Sequence, residues 1–167
     1  ETDAIFDQVA AVNQAADAAD TVLRLSMDAK ATDKVGPFAR GGKSGAPTIA
    51  AEHDFHPDAT VTPVGIFLPA LDELFLYGIT SKVTSDCLVD CLGRWWAVVS
   101  ERFAHLTTLV INLDNGPENH SRRTQFMQRM VDFAHHTGLT VRLAYYPPYH
   151  SKYNPIERCW GILENHW

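Results

Sequence analysis

Apolar residues recur at helical spacing over residues 3 to 19, where Ile5, Val9, Val12 and Ala16 fall on one face, so an alanine-rich amphipathic helix is predicted there. Its acidic first turn suits a helix start. Residues 21 to 27 instead alternate Leu23, Leu25 and Met27 against Arg24 and Ser26, the two-residue period of a strand ending at Asp28. Two further apolar runs, Val61 to Leu68 and Glu73 to Thr80, flank Pro69-Ala70-Leu71-Asp72 and predict an antiparallel hairpin.

From Ser85, read as an N-cap with Asp86 in the first turn, Leu88, Leu92, Trp95, Val99 and Phe103 mark one face of a helix. Thr107 to Leu113 is a short run rich in β-branched residues, the pattern of a strand buried on both faces, and it ends at Asp114. A helix over about 121 to 137 buries Phe126, Met130 and Phe133 and is closed by Gly138. A strand carrying Val141, Leu143 and Tyr145 follows and is stopped by Pro147-Pro148. The last helix is expected to open with Asn154 as N-cap and Pro155 at its first position, with Ile156, Trp160, Leu163 and Trp167 along one face. Residues 29 to 60 hold few apolar positions and read as a long loop or small insertion.

Composition narrows the class. With 167 residues, 46% hydrophobic and 20% charged, the chain is a single globular domain and neither disordered nor fibrous. No apolar run reaches bilayer length. Three cysteines without paired spacing, and no signal peptide, fit a reducing cytosolic compartment.

The net charge of −6 disfavours a phosphate-rich partner at first sight. The first 20 residues, however, carry Glu1, Asp3, Asp7, Asp17 and Asp20 and no basic residue, leaving a nearly neutral body. Within that body Lys30, Lys34, Arg40 and Lys43 cluster in one loop, and Arg122, Arg123 and Arg129 on one helix, so local basic faces remain available.

Several familiar sites fail on spacing. Gly42-Lys43-Ser44 resembles the end of a phosphate-binding loop, but Pro37 stands where the first glycine is required. Cys87 with Cys91, and His53 with His56, lack a second pair at zinc-ligand spacing. No serine-hydrolase elbow, zincin helix or dinucleotide-binding glycine turn occurs.

Three carboxylates remain, each where a regular element begins or ends: Asp28, Asp114 and Glu157. In an open α/β sheet such positions face the crevice where ligands bind, and an all-oxygen set suits Mg2+ or Mn2+ and phosphoryl transfer. Each also has an ordinary structural role open to it. Asp28 shares parity with Arg24 and Ser26, a possible solvent face; Asp114 opens a turn sequence; Glu157 could complete a capping box with Asn154.

The surroundings of these carboxylates add a resemblance. Ser26-Met27-Asp28-Ala29-Lys30, Asn112-Leu113-Asp114-Asn115-Gly116-Pro117-Glu118-Asn119-His120, and Tyr146-Pro147-Pro148-Tyr149-His150-Ser151-Lys152-Tyr153-Asn154-Pro155-Ile156-Glu157-Arg158-Cys159-Trp160 resemble the three catalytic blocks of bacterial insertion-sequence transposases. The match is to the Rhodopirellula-type DDE transposase family, a relative of the mariner-like group, and it covers nearly the whole chain. The 42 residues between Asp114 and Glu157 exceed the mariner-like spacing.

The resemblance implies an α/β fold of the ribonuclease H and retroviral integrase kind, a mixed sheet of three antiparallel strands then two parallel ones, flanked by helices. It implies a catalytic, metal-binding triad of Asp28, Asp114 and Glu157 holding two Mg2+ (or Mn2+) ions. Transposon-end and target DNA are the implied partners, with a homo-oligomer in the active complex, no membrane, and a bacterial cytoplasmic, nucleoid-associated location. Lys30, Arg122, Arg123, Lys152 and Arg158, with His120 and His150, become candidates for phosphate contacts. Residues 1–20 are expected to be a helix or linker from a preceding DNA-binding region, and residues 21–167 the catalytic domain, truncated at its C-terminal end. The competing expectations are a nuclease or resolvase of the same fold that cuts without joining, and an inactive DNA-binding remnant.

Overall fold

The computed structural model describes residues 2–35, 59–147 and 150–165. The Gly42-Lys43-Ser44 run, Arg40, Lys43, His53, His56 and Trp167 lie outside the described residues. In chain order the elements are α1 (Thr2–Asp17), β1 (Val22–Ala29), β2 (Asp33–Val35), β3 (Ala59–Leu68), β4 (Glu73–Ile79), α2 (Ser85–Val99), β5 (Thr108–Leu113), α3 (Thr124–Thr137), β6 (Thr140–Tyr145), a 3-10 turn (Ser151–Tyr153) and α4 (Glu157–Glu164).

The strands form one mixed sheet. β1 lies between antiparallel β3 and parallel β5; β4 pairs antiparallel with β3, and β6 runs parallel beside β5. This is the expected order of three antiparallel strands followed by two parallel ones. The structure adds β2, three residues within the stretch read as loop, which pairs Asp33 with Val61. From Ala29 opposite Val64 to Asp33 opposite Val61, β1 and β2 advance four residues while β3 advances three. The extra residue marks a bulge-like break that turns the chain just after Asp28.

The alternation in β1 sets the two layers. Leu23, Leu25 and Met27 face α2 and α3, in a core with Leu92, Trp95, Leu109, Ile111 and Phe126. Val22, Arg24, Ser26 and Asp28 face the other way, and that face is covered rather than solvated. Val12 and Ala16 of α1 pack with Val22, Val110 and Ala144. Ile156, Cys159 and Trp160 at α4 pack on Phe67. Even the polar residues of that face are tied to the covering helix: Arg24 pairs with Asp17 at 2.8 Å, and Asn112 Nδ2 donates to Asn13 Oδ1 at 2.8 Å.

Three helix starts differ from expectation. Thr84, not Ser85, caps α2, accepting the Cys87 N–H at 3.2 Å, because the Ser85 hydroxyl donates to the Glu118 carbonyl at 2.6 Å. α3 begins at Thr124 rather than near Ser121, since His120 Nδ1 accepts the Arg122 N–H at 3.2 Å and holds that segment in a turn. α4 begins at Glu157; Asn154 is not its cap, because its side chain is engaged by Ser26. Gly138 closes α3 as expected, at a positive φ of 73°. Among the described residues no helix is long and apolar enough to cross a membrane.

Candidate active site

The parallel pairing of β1 and β5 aligns Ser26 with Asn112, so Asp28 and Asp114 each stand two residues further along neighbouring strands. Both therefore sit at the carboxyl edge of the sheet on the same face. The third motif reaches that edge through a buried anchor. Ser26 Oγ donates to Asn154 Oδ1 and accepts the Ile156 N–H at 3.1 Å, fixing the start of α4 over β1. One turn on, Trp160 Nε1 donates to Asp28 Oδ2 at 2.9 Å. Glu157, three residues before Trp160, shares that side of the helix.

This approach needs Gly65, which pairs with Asp28 across β1 and β3. A Cβ there would lie 2.6 Å from Trp160 Cη2 and 2.7 Å from Ile156 Cδ1. Only a residue without a side chain lets α4 descend to the sheet at this point.

Asp114 belongs to a tight turn as well as to the sheet edge. Its Oδ1 accepts the Gly116 N–H and the Asn119 side-chain amide, both at 3.1 Å, and Asn115 takes a positive φ of 66°. The turn is clamped from outside: Tyr145 donates its hydroxyl proton to the Asn119 carbonyl at 2.7 Å. The turn thus fixes Asp114 at the sheet edge beside Asp28.

The electrostatics tie the three acids together. The Asp28 carboxyl is pushed up to about 7, first by burial, then by the Asp114 carboxylate, and further by Glu157; the hydrogen bonds from Trp160 and from the Ala29 backbone act against the rise. Two acids remote in sequence therefore act on one half-buried carboxyl. The expected three-carboxylate cage is nevertheless not closed: among the described residues no three His, Cys, Asp or Glu side chains are gathered tightly enough to hold a metal ion. The donor set itself, all oxygen and net anionic, fits a hard divalent cation.

The basic candidates are spread over different environments. Lys30 is buried, its ammonium 3.4 Å from Asp33 and 3.2 Å from Glu164. Arg122 and Arg123 are exposed at the start of α3. His120 is half-buried in the Asp114 turn, while His150 meets Phe6 edge-on and stacks on Tyr153. Lys152 lies over the Tyr153 ring. Arg158 is exposed, paired with Asp72 at 3.1 Å and resting on Phe67. Sequence reasoning gives Gly65 no place, and quotes Asn119 and Trp160 within the motif blocks without assigning either a role; for Trp160 the signal is its position one turn after Glu157.

The family model described as Rhodopirellula transposase DDE domain matches residues 1–167. No curated protein matches the chain. Among solved structures, the Mos1 transposase paired-end complex with left transposon end is similar at a TM-score of 0.60 and 9% identity, covering 99% of this chain and 47% of that one. The Mos1 mariner paired end complex with Mn gives 0.60 at 10% identity, with 98% and 47% covered. A simian T-cell lymphotropic virus intasome in complex with PP2A regulatory subunit B56 gamma gives 0.55 at 15%, with 85% and 38% covered. These likenesses show the fold, and the chain spans less than half the length of each of these structures.

Proposed function

We propose, for a chain that belongs to the Rhodopirellula transposase DDE domain family, that its sheet edge cleaves DNA at element ends and joins the freed ends to target DNA. The observation that carries this reading is geometric: the β1–β5 register brings Asp28 and Asp114 to the ends of adjacent strands, and Trp160, one turn after Glu157, donates to Asp28 at 2.9 Å. Asp28, Asp114 and Glu157 would hold two Mg2+ or Mn2+ ions, and a bound divalent ion supplies Lewis acidity to the phosphodiester and its attacking oxygen. The protein's share of the chemistry is preorganisation. β1 and β5 bring the two aspartates to the ends of adjacent strands; Ser26 and Asn154 set the start of α4; Trp160 donates to Asp28.

In the cleavage step water adds to phosphorus and the 3′-oxygen leaves, taking a proton as a hydroxyl. In the joining step that hydroxyl adds to a target phosphodiester and displaces the target's own 3′-oxygen. Arg122, Arg123, Lys152 and Arg158, exposed near the motifs, are the proposed phosphate contacts, with His120 and His150 in support. We place residues 21–167 as the catalytic domain and recognition of element ends outside it, with a homo-oligomer forming the active complex at the bacterial nucleoid. The test is a strand-transfer assay with labelled element-end DNA and Mg2+ or Mn2+, in the intact protein and in D28N, D114N and E157Q. Cut and joined products, lost in all three variants, support the proposal; cut but never joined products favour a nuclease or resolvase.

A further inference from the structure

We propose that Trp160 and Asn119 are positioning residues for metal capture, each fixing one of the two strand-end aspartates through an uncharged N–H donor. The inference rests on the triad reading above and goes beyond it, because neither residue belongs to the triad. Trp160 is 4% exposed and reaches Asp28 Oδ2 at 2.9 Å; Asn119 is 5% exposed and reaches Asp114 Oδ1 at 3.1 Å.

Both donors are themselves immobilised. The indole is enclosed by Phe67, Ile156 and Cys159 and seated in the space left by Gly65. The Asn119 backbone is held by the Tyr145 hydroxyl at its carbonyl and by the Gly116 carbonyl at its N–H, 3.3 Å away. Asn119 Oδ1, at the other end of the same amide, is buried with no hydrogen-bond partner among the described residues. A buried acceptor left unmade costs free energy, so the amide is oriented by what its donor end does.

The donors' lack of charge is the chemical point. An Arg or Lys on either aspartate would neutralise it and compete with a cation for the same oxygens. An indole or amide N–H aims a carboxylate and leaves its charge intact, and a carboxylate has further lone pairs to give a metal. The buried cation closest in sequence, Lys30, is paired with Asp33 and Glu164. Trp160 also joins Asp28 to the helix turn that carries Glu157, so one bond sets the spacing of two acids.

The test is Mn2+ titration of the intact chain, followed by electron paramagnetic resonance of free Mn2+ and by NMR of the tryptophan indole N–H signals. The set is wild type, D28N, W160F, W160H and N119A, each with an unfolding midpoint measured in chelator. The expected result is Mn2+ affinity weakened about 10- to 100-fold in W160F and N119A at a near-unchanged midpoint. W160H, which keeps a ring N–H, should recover part of the loss. The indole proton absent in W160F should move upfield in D28N and be the indole signal broadened by Mn2+ in wild type. Wild-type affinity in W160F and N119A overturns the inference while leaving the triad reading in place. If W160F does not fold, an indole signal identical in D28N and wild type overturns it instead. Equal Mn2+ binding by wild type and D28N sinks the triad reading, and the inference with it.

Discussion

Ser26 Oγ, fully buried in β1, accepts the Ile156 N–H at 3.1 Å across 130 residues of sequence. The same hydroxyl donates to Asn154, so one serine terminates two polar groups at the start of α4. Ser26→Ala leaves the Ile156 N–H and Asn154 Oδ1 without their partner in a dry site. We expect a stability loss of about 1–3 kcal/mol in urea unfolding. Strand-transfer activity should fall further than stability alone accounts for, because Glu157 follows directly on Ile156.

Gly65 is the steric counterpart of that anchor. Gly65→Ala puts a methyl 2.6 Å from the Trp160 ring, and the neighbours are a rigid indole and a buried isoleucine. Overpacking of this kind costs about 1–3 kcal/mol. The expected signature is a shifted Trp160 environment in near-ultraviolet circular dichroism together with weaker Mn2+ binding. By contrast Gly93→Ala, where nothing lies within 4 Å of the added atom, should leave both unchanged.

Asp28 makes the metal-free protein sensitive to pH in an unusual direction. Its carboxyl rises from 3.8 to about 7 on folding, so between those values the folded state holds a proton that the unfolded chain has released. Stability therefore declines as pH rises through this window, by up to about 4 kcal/mol, and the full penalty is present above pH 7. D28N, which cannot ionise, should flatten the decline when unfolding is measured in chelator from pH 4 to 8. Metal uptake at pH 6 should release close to one proton, seen as a dependence of calorimetric binding heat on the buffer's ionisation enthalpy.

Much of the sheet is legible in the sequence, since the alternation of Leu23, Leu25 and Met27 and the runs flanking residues 69–72 record which side of each strand meets a core. The parity of Asp28 with Arg24 and Ser26 is read correctly but not its meaning: that face is covered by α1 and α4, so polar residues there mark contacts between layers rather than solvent. Helix starts are the least legible feature. Ser85 and Asn154 have the chemistry of N-caps, yet both spend it on partners remote in sequence, Glu118 and Ser26, which no local pattern announces. β2 escapes because Asp33, Lys34 and Val35 carry no period of their own and form a strand by pairing with β3. The indole N–H of Trp160 escapes because hydropathy records the ring and not the proton it donates.

Asp28, Asp114 and Glu157 are proposed to close around divalent metal, and anomalous diffraction at the manganese edge from crystals grown with Mn2+ examines that closure itself. Anomalous density is expected at the carboxyl edge of β1 and β5, within about 2.0–2.3 Å of oxygens from Asp28 and Asp114 and with Glu157 drawn toward it. Saturating Mn2+ that leaves this edge without anomalous density, or places it only at other residues, would show that the three carboxylates do not form a metal site.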